Sequence, residues 1–277
     1  MLIKNKKFDF ENKTYTMGIL NLTPDSFSDG GSYIDVESAI KRAKKMVEEG
    51  VDIIDVGAES TRPGAAYVEE EEELRRILPV VKRLVDEVDV PISIDTYKSY
   101  IAEECIKAGA HIINDIKGLK GDPNMAEVIA KYGVSVIIMH IQGDPKSMQE
   151  NPRYDNVIEN IKGSLEESID IAVKAGVSPE KIILDPGIGF GKTFENNLEI
   201  IKKLCEFKKL EYPILIGASR KGFIGDVLGT PPLDRLEGNL AVAVISSYNG
   251  ASIIRVHEVK ETVRALKMTE AVKLVTN

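Results

Sequence analysis

A chain of 277 residues, 43% hydrophobic and 29% charged, is long enough to bury a sizeable core and suits one domain over 1–277, the size of an α/β barrel of about 250 residues. The formal charge of −8 argues against a general affinity for nucleic acid or an anionic membrane, since either needs a net basic face. A local cationic pocket remains compatible with that balance.

In chain order, FDFENKTYTM, with Asn12 and Lys13 at its turn, reads as a small hairpin capping a barrel floor. Eight short β-branched runs then recur: TMGILN (16–21), VDIIDVG (51–57), PISIDT (91–96), HIINDI (111–116), VSVIIMH (134–140), IILDPG (182–187), ILIGAS (214–219) and SIIRVH (252–257). They are nearly continuously apolar, as strands buried on both faces should be. Between them lie helical stripes: Val36, Ala39, Ile40, Ala43, Met46 and Val47, then Leu74, Ile77, Leu78, Val81, Leu84, Val85 and Val88, with Pro79 expected to bend the second helix or mark its first turn. Further helices are expected over 98–108, 123–132, 157–175, 197–207, 234–248 and 259–273. The acidic run Glu69 to Glu73 reads as a solvated first turn, where carboxylates suit the helix dipole. NLAVAVISSYNGA (239–251), apolar nearly all round, reads as core packing with some subunit contact.

Strand alternating with helix eight times implies parallel strands, right-handed crossovers and closure into a single α/β (β/α)8 TIM barrel with the N-terminal β-hairpin at its floor. A doubly wound sheet is the rival. It lacks support, because NLTPDSFSDGG has no G-x-G-x-x-G, and GIGFGK fails as a P-loop, with Pro186 where a glycine is required. Cys105 and Cys205 lie far apart on helical stretches, and no run approaches roughly 18 apolar residues, so reduced thiols and a soluble, cytoplasmic protein are expected, with no membrane partner.

Each strand ends in a side chain that can hydrogen-bond or carry charge: Asn21, Asp55 with Glu59, Asp95, Asn114 with Asp115, His140, Asp185, Ser219 with Lys221, and Arg255 with His257. In a barrel these ends share one rim, so residues scattered along the chain converge on one mouth. Asp55 and Asp115 serve equally well as helix caps or turn pins, and His140 as a structural histidine. Asp95, Asn114, Asp185, Lys221 and Arg255 together are harder to assign to structure, because buried charges are paired or functional. Asp95, Asn114 and Asp185 suit a flat heterocycle rich in N–H groups better than zinc, with Arg255 stacking on the ring. Arg62, Lys221, Arg255 and His257 add positive charge suited to an anionic leaving group such as diphosphate, and Asn21 offers a neutral oxygen suited to Mg²⁺. The glycines after Asp185 allow close approach of backbone to the ring.

MGILNLTPDSFSDGG (17–31), AESTRPGA (58–65), SIDT (93–96), NDI (114–116), LDPGIGFGK (184–192), GASRKGFIG (217–225) and RVH (255–257) closely resemble the signatures of the dihydropteroate synthase family of pterin-binding enzymes. The resemblance implies a (β/α)8 barrel, usually a homodimer, that joins 6-hydroxymethyl-7,8-dihydropterin diphosphate to 4-aminobenzoate and releases diphosphate. It implies a pterin pocket of Asp95, Asn114, Asp185 and Lys221, walled by Met139 and Phe190, with Arg255 over the ring, and Gly217 among the substrate-binding residues. Asn21, Arg62, Arg255 and His257 would serve the diphosphate and Mg²⁺ end. Asp25, Phe27 and Asp29 after the first strand, and Ser60, Thr61, Arg62 and Pro63 after the second, would close over the aminobenzoate, which Ser219 would border. Asp95, Lys221, Arg255, Asp25 and Asp29 are thereby implied in catalysis. Two other readings share the pterin acceptors: a folate-dependent methyltransferase acting on a corrinoid protein, which has no use for a diphosphate clamp, and a non-catalytic pterin-binding module.

Overall fold

The computed structural model describes residues 1–22, 36–60, 64–65 and 67–275. Its eight-stranded parallel sheet is formed by β3 (Tyr15–Asn21), β4 (Ile53–Gly57), β5 (Ile92–Asp95), β6 (Ile112–Asp115), β7 (Ser135–Met139), β8 (Ile182–Asp185), β9 (Leu215–Ile216) and β10 (Ile253–Val256). Around the sheet they run β8-β7-β6-β5-β4-β3-β10-β9. A parallel bridge between Leu184 and Ile214, with Leu184 N–H donating to the Pro213 carbonyl at 2.9 Å, joins the two ends, so the sheet closes on itself.

The helices follow the strands: α1 (Val36–Glu48), α2 (Glu70–Glu87), α3 (Ser99–Lys107), α4 (Met125–Tyr132), α5 (Val157–Lys174), α6 (Phe194–Lys202), α7 (Gly222–Leu228), α8 (Leu236–Tyr248) and α9 (Val259–Lys273). Pro79 lies inside α2, well past its first turn. The stretch expected as one helix over 197–207 divides into α6 and a 3-10 segment, Leu204–Leu210, which carries the exposed Cys205; Cys105 is buried in α3. The short α7 was not foreseen, because seven residues bounded by Gly222 and Gly229 are too few to display a helical period.

The N-terminal hairpin turns earlier than expected. Its strands are β1 (Leu2–Ile3) and β2 (Lys6–Lys7), with Lys4 in the left-handed region at φ 53°. Asn12 and Lys13 belong to a separate turn, pinned by Lys13 N–H to the Asp9 carbonyl at 3.1 Å and Asn12 Nδ2 to Asp9 at 3.0 Å. That turn folds Phe8 and Phe10 against Tyr15, with Phe8 and Tyr15 ring centroids 4.6 Å apart. Ile3, Phe8 and Tyr15 then pack on Met17, Ile53, Ile112, Ile137, Ile183, Leu215 and Ile253, closing the barrel floor.

This floor layer places the mouth. Strand side chains repeat every two residues on one face, so the residue two positions beyond each floor residue points into the same interior, one layer higher. Two beyond Ile53, Ile112, Ile137, Ile183, Leu215 and Ile253 stand Asp55, Asn114, Met139, Asp185, Gly217 and Arg255. On β5 the same step leads from Ser93 to Asp95, which pairs across the sheet with Asn114 on one side and Gly57 on the other. A Cβ at Gly57 would lie 3.3 Å from the Asp95 Cβ, so a small residue there gives Asp95 its room. Outside the barrel, the opposite strand faces and the helices share the large core that includes Ile54, Ile94, Ile138, Ile77 and Leu84.

The acidic run at the start of α2 is not uniformly solvated. Glu73 is buried at 1% exposure, because it continues the inward stripe of Ile77, Val80, Val81 and Leu84 by one helical turn. It meets Lys98, whose Nζ lies 2.5 Å from Glu73, 2.5 Å from Glu59 and 2.5 Å from the Val68 carbonyl, while Thr96 Oγ1 donates to Glu73 at 2.9 Å. Burial raises the Glu73 carboxyl above its ordinary value, against the downward pull of Lys98.

Candidate active site at the barrel mouth

Arg255, half-buried on β10, is held by two carboxylates from neighbouring strands. Its Nε donates to Asp55 Oδ2 at 2.6 Å and its Nη2 to Asp95 Oδ2 at 2.7 Å. Asn114 Nδ2 donates to the same Asp55 oxygen at 3.2 Å. Asp55, weighed from sequence as a possible cap, is thus part of the site: it is completely buried and orients both Arg255 and Asn114. Asp115, its companion in ambiguity, pins the turn after β6, accepting from Lys117 N–H at 2.8 Å and Leu119 N–H at 2.9 Å.

Among the described residues, three acceptors remain without a partner after this pairing. Asp55 Oδ1, Asp95 Oδ1 and Asn114 Oδ1, from three consecutive strands, are buried and accept no hydrogen bond, as is Ser93 Oγ on β5. A buried acceptor left unsatisfied costs about 1–3 kcal/mol, so a row of them is suited to a ligand that presents N–H donors. Burial raises Asp95 above the ordinary carboxylate range, opposed by the Arg255 guanidinium.

Asp185 closes the other side. Its Oδ1 accepts from Gly187 N–H at 2.7 Å, and burial pushes the carboxyl up to about 6. The glycine loop behind it is glycine-rich by necessity. Gly187 has φ 72°, and a Cβ there would sit 1.9 Å from the His140 carbonyl oxygen; Gly191 has φ 62°, and its Cβ would sit 2.2 Å from the Gln142 carbonyl oxygen. The loop is therefore pressed on the backbone that follows β7. Buried Lys192 fastens it there, reaching His140 Nδ1 at 3.0 Å and the Phe190 carbonyl at 2.9 Å. Burial lowers Lys192 to about 7 and, aided by the Lys192 charge, His140 to about 2, so the imidazole stays neutral and serves the structural role weighed for it.

The apolar wall is formed by Met139 and Phe190 with Ile116 and Met148. The Lys221 ammonium lies over the Phe190 ring, 3.9 Å from its centroid. Gly217 lies beside Arg255, a Cβ there falling 3.8 Å from the Arg255 Cβ and Cδ. Ser219 Oγ is 2.9 Å from His257 Nδ1 and 3.2 Å from Glu258, so Ser219 and His257 form one hydrogen-bonded unit at the β9 and β10 ends. Asn21, half-buried at the tip of β3, pairs in register with Gly57, which pairs in turn with Asp95 two strands from Asn21. Asp25, Phe27, Asp29, Thr61, Arg62 and Pro63 lie outside the described residues. Among the described ones, the structure brings Asp95, Asn114, Met139, Asp185, Phe190, Gly217, Lys221 and Arg255 to one mouth, adds Asp55, and sets Ser219, His257 and Asn21 at its rim. A polar cavity of about 730 Å³, bordered by His140, Gln142, Tyr154 and Thr193, is lined by none of the residues that carry the unpartnered acceptors.

A family model described as pterin binding enzyme matches residues 17–257. A dihydropteroate synthase of Clostridium beijerinckii is 50% identical over 273 residues, covering 98% of this chain and 99% of its own, and that of Escherichia coli is 49% identical over 257 residues, covering 93% and 91%. Among solved structures, a Yersinia pestis dihydropteroate synthase in complex with a sulfonamide drug superposes with a TM-score of 0.94 at 44% identity, covering 99% of each chain. A Xanthomonas albilineans dihydropteroate synthase in complex with 7,8-dihydropteroate superposes with a TM-score of 0.86 at 37% identity, covering 96% of this chain and 95% of the other.

Proposed function

The chain belongs to the family of pterin-binding enzymes, and from that membership and the geometry of the mouth we infer a transferase with dihydropteroate synthase activity, which joins 6-hydroxymethyl-7,8-dihydropterin diphosphate to 4-aminobenzoate in folate synthesis. The observation that carries this reading is the row of acceptors on Asp55, Asp95 and Asn114 that have no partner among the described residues, in the barrel layer that Asp185 and Arg255 share. A pterin presents an exocyclic amine and ring N–H groups along one edge, and such an edge answers that row. The methyltransferase alternative is not retained, because the relatives matching nearly the whole chain are dihydropteroate synthases.

In the reaction, the bond between the exocyclic carbon and the diphosphate oxygen breaks first, and its electron pair leaves with diphosphate. The lone pair of the aminobenzoate nitrogen then forms the C–N bond, and the nitrogen loses a proton to solvent or to the departed diphosphate. Carboxylates at Asp95 and Asp185 stabilise the positive charge that develops on the pterin. Arg255, fixed at two corners by Asp55 and Asp95, keeps its planar face available to the ring and Nη1 available to the diphosphate. Lys221 adds positive charge on the same side, and His257 stands at the rim as a hydrogen-bonding group. Asp25, Phe27, Asp29, Thr61 and Arg62 are assigned to the aminobenzoate side and to excluding water from the cation.

No three His, Cys, Asp or Glu side chains cluster as a metal site among the described residues. Mg²⁺ would be held chiefly through the substrate's diphosphate, with Asn21 as the neutral protein oxygen. When bound, the ion would neutralise charge on the leaving group. We further propose a homodimer joined through α8 and α9. The α8 helix buries Asn239, Ala243, Ser246 and Ser247 while exposing Ile245 and Tyr248, and packed beside it α9 exposes Met268 and Val272. No helix of the described residues is long and apolar enough to cross a membrane, and we place the enzyme in the cytoplasm. The deciding assay is diphosphate release measured with both substrates and with each alone. Release at full rate without 4-aminobenzoate would overturn the assignment.

A further inference from the structure

Lys221 reaches the mouth from an unfavourable stretch of backbone. Arg220, immediately before it, is a non-glycine residue in the left-handed region at φ 62°, and Lys221 is the N-terminal cap residue of α7. Something must hold this turn, since an L residue avoids that region unless its surroundings impose it.

The main holder is Arg235, a nearly buried residue just before α8 that pairs with no carboxylate among the described residues. All its hydrogen bonds go to main-chain carbonyls. Nη1 donates to the Arg220 and Lys221 carbonyls, each at 2.9 Å, while Nε and Nη2 donate to the Thr230 carbonyl at 3.1 and 2.9 Å. The guanidinium lies flat on α7 at Gly225, where a Cβ would stand 2.0 Å from Nη2 and 2.3 Å from Cζ. Asn239 Oδ1 accepts from Arg220 N–H at 2.9 Å, and Glu258 holds the Arg220 side chain at 2.7 Å.

We propose that Arg235, seated on Gly225, is a positioning residue for Lys221: by clamping the Arg220 and Lys221 carbonyls it sets where the Lys221 ammonium meets the ligand. Gly225, the last residue of GASRKGFIG, is then glycine to admit a guanidinium that no substrate touches. The proposal rests on the reading of Lys221 as a pterin contact, and the test separates the two.

Arg235→Ala removes all four bonds to the Arg220, Lys221 and Thr230 carbonyls and is prone to unfold, so Gly225→Ala, which shifts the guanidinium but keeps it, is the main variant. Alanine is the better helix former, and the clash falls on the far end of a flexible side chain, so α7 persists while the guanidinium is displaced. Pterin affinity is measured by calorimetry for Gly225→Ala, Lys221→Met and the double variant, each shown to be folded by urea denaturation. Gly225→Ala should weaken pterin binding about tenfold in the wild-type background and less than twofold in Lys221→Met, because a positioning effect disappears with the residue positioned. Wild-type affinity in Gly225→Ala, or an equal loss in both backgrounds, overturns the proposal. The ligand-free enzyme supplies a second readout, acylation of Lys221 by acetic anhydride followed by peptide mass spectrometry. Gly225→Ala should change the Lys221 rate threefold or more while leaving exposed Lys131 unchanged, and an unchanged Lys221 rate overturns the clamp. Unaltered pterin affinity in Lys221→Met would remove the ligand reading of Lys221, and the acylation experiment would still decide the clamp.

Discussion

Asp185→Asn should separate binding from stability. The carboxyl is 5% exposed, Oδ1 is engaged by Gly187 N–H at 2.7 Å, and Oδ2 has no partner among the described residues. Burial holds the group at about 6 against a reference of 3.8, and a difference of roughly two pKa units corresponds to about 3 kcal/mol of cost in the ionised folded state, an upper bound. The sign follows from proton counts: between 3.8 and about 6 the folded state holds a proton that the unfolded chain has released. Stability contributed by this group is therefore complete below about pH 4 and lost as pH rises through about 6. Asparagine is nearly isosteric and keeps an oxygen for Gly187 while removing the ionisation, so at pH 8 the variant should be as stable as the wild type or more so in urea unfolding, and the difference should vanish at pH 4. Pterin binding should move the other way. An amide nitrogen would face the ligand where an acceptor is needed, weakening affinity by about 2 kcal/mol or more, roughly 30-fold, in a calorimetric titration. Wild-type affinity should also fall about tenfold per pH unit below about pH 6, as the carboxylate is protonated. Unchanged pterin affinity in the variant would refute the role given to Asp185. A variant less stable than the wild type at pH 8 would refute the burial argument.

The other expectations concern parts distant from that carboxylate. Lys98→Met leaves Glu59 and Glu73 close together and poorly solvated with no cation between them. It should cost about 3–5 kcal/mol in urea unfolding, with part of the loss recovered by adding Glu73→Gln; no loss would mean the three charges are not a structural unit. Chelation of divalent cations should slow turnover of the pterin diphosphate without weakening the binding of 6-hydroxymethylpterin, which has no diphosphate to share with the metal, and the two are compared by stopped assay and calorimetry. The Ile245→Glu, Val272→Glu double variant should sediment as a monomer if α8 and α9 form the subunit contact; a persistent dimer would place the interface elsewhere.

The barrel was legible because its signals are local. Apolar runs of four to seven residues, separated by stripes of helical period, specify strands and helices without reference to any distant residue, and the switch from isoleucine to aspartate two residues later, as in Ile53 to Asp55 or Ile183 to Asp185, marks the layer where core gives way to site. The partners of that layer are not local. Asp55 was indistinguishable from a cap because the residue that explains it, Arg255, lies 200 positions along the chain, and Arg235 reads locally as a surface arginine opening a helix. Glu73, expected as part of a solvated first turn, is instead buried, because it lies one turn before Ile77 and its cation, Lys98, comes from beyond the end of the helix. The α7 helix, bracketed by glycines, and the N-terminal turn, decided by aromatic packing of Phe8 on Tyr15, lacked any period to read.

The pairings that sequence could not supply also determine the electrostatics of the mouth. Counted as a set of residue types, Asp55, Asp95 and Asp185 outnumber Arg255 and Lys221, and an unpaired cluster of that kind would repel an anionic substrate. Once Arg255 is bound to one oxygen each of Asp55 and Asp95, their negative charge is offset on one side, and the other oxygen of each is left without a partner among the described residues. Lys221 stands across at the Phe190 ring. On the proposed reading, one opening serves a neutral, donor-rich ring and an anionic tail, because the ring edge would meet the carboxylates while the tail would lie toward the cations.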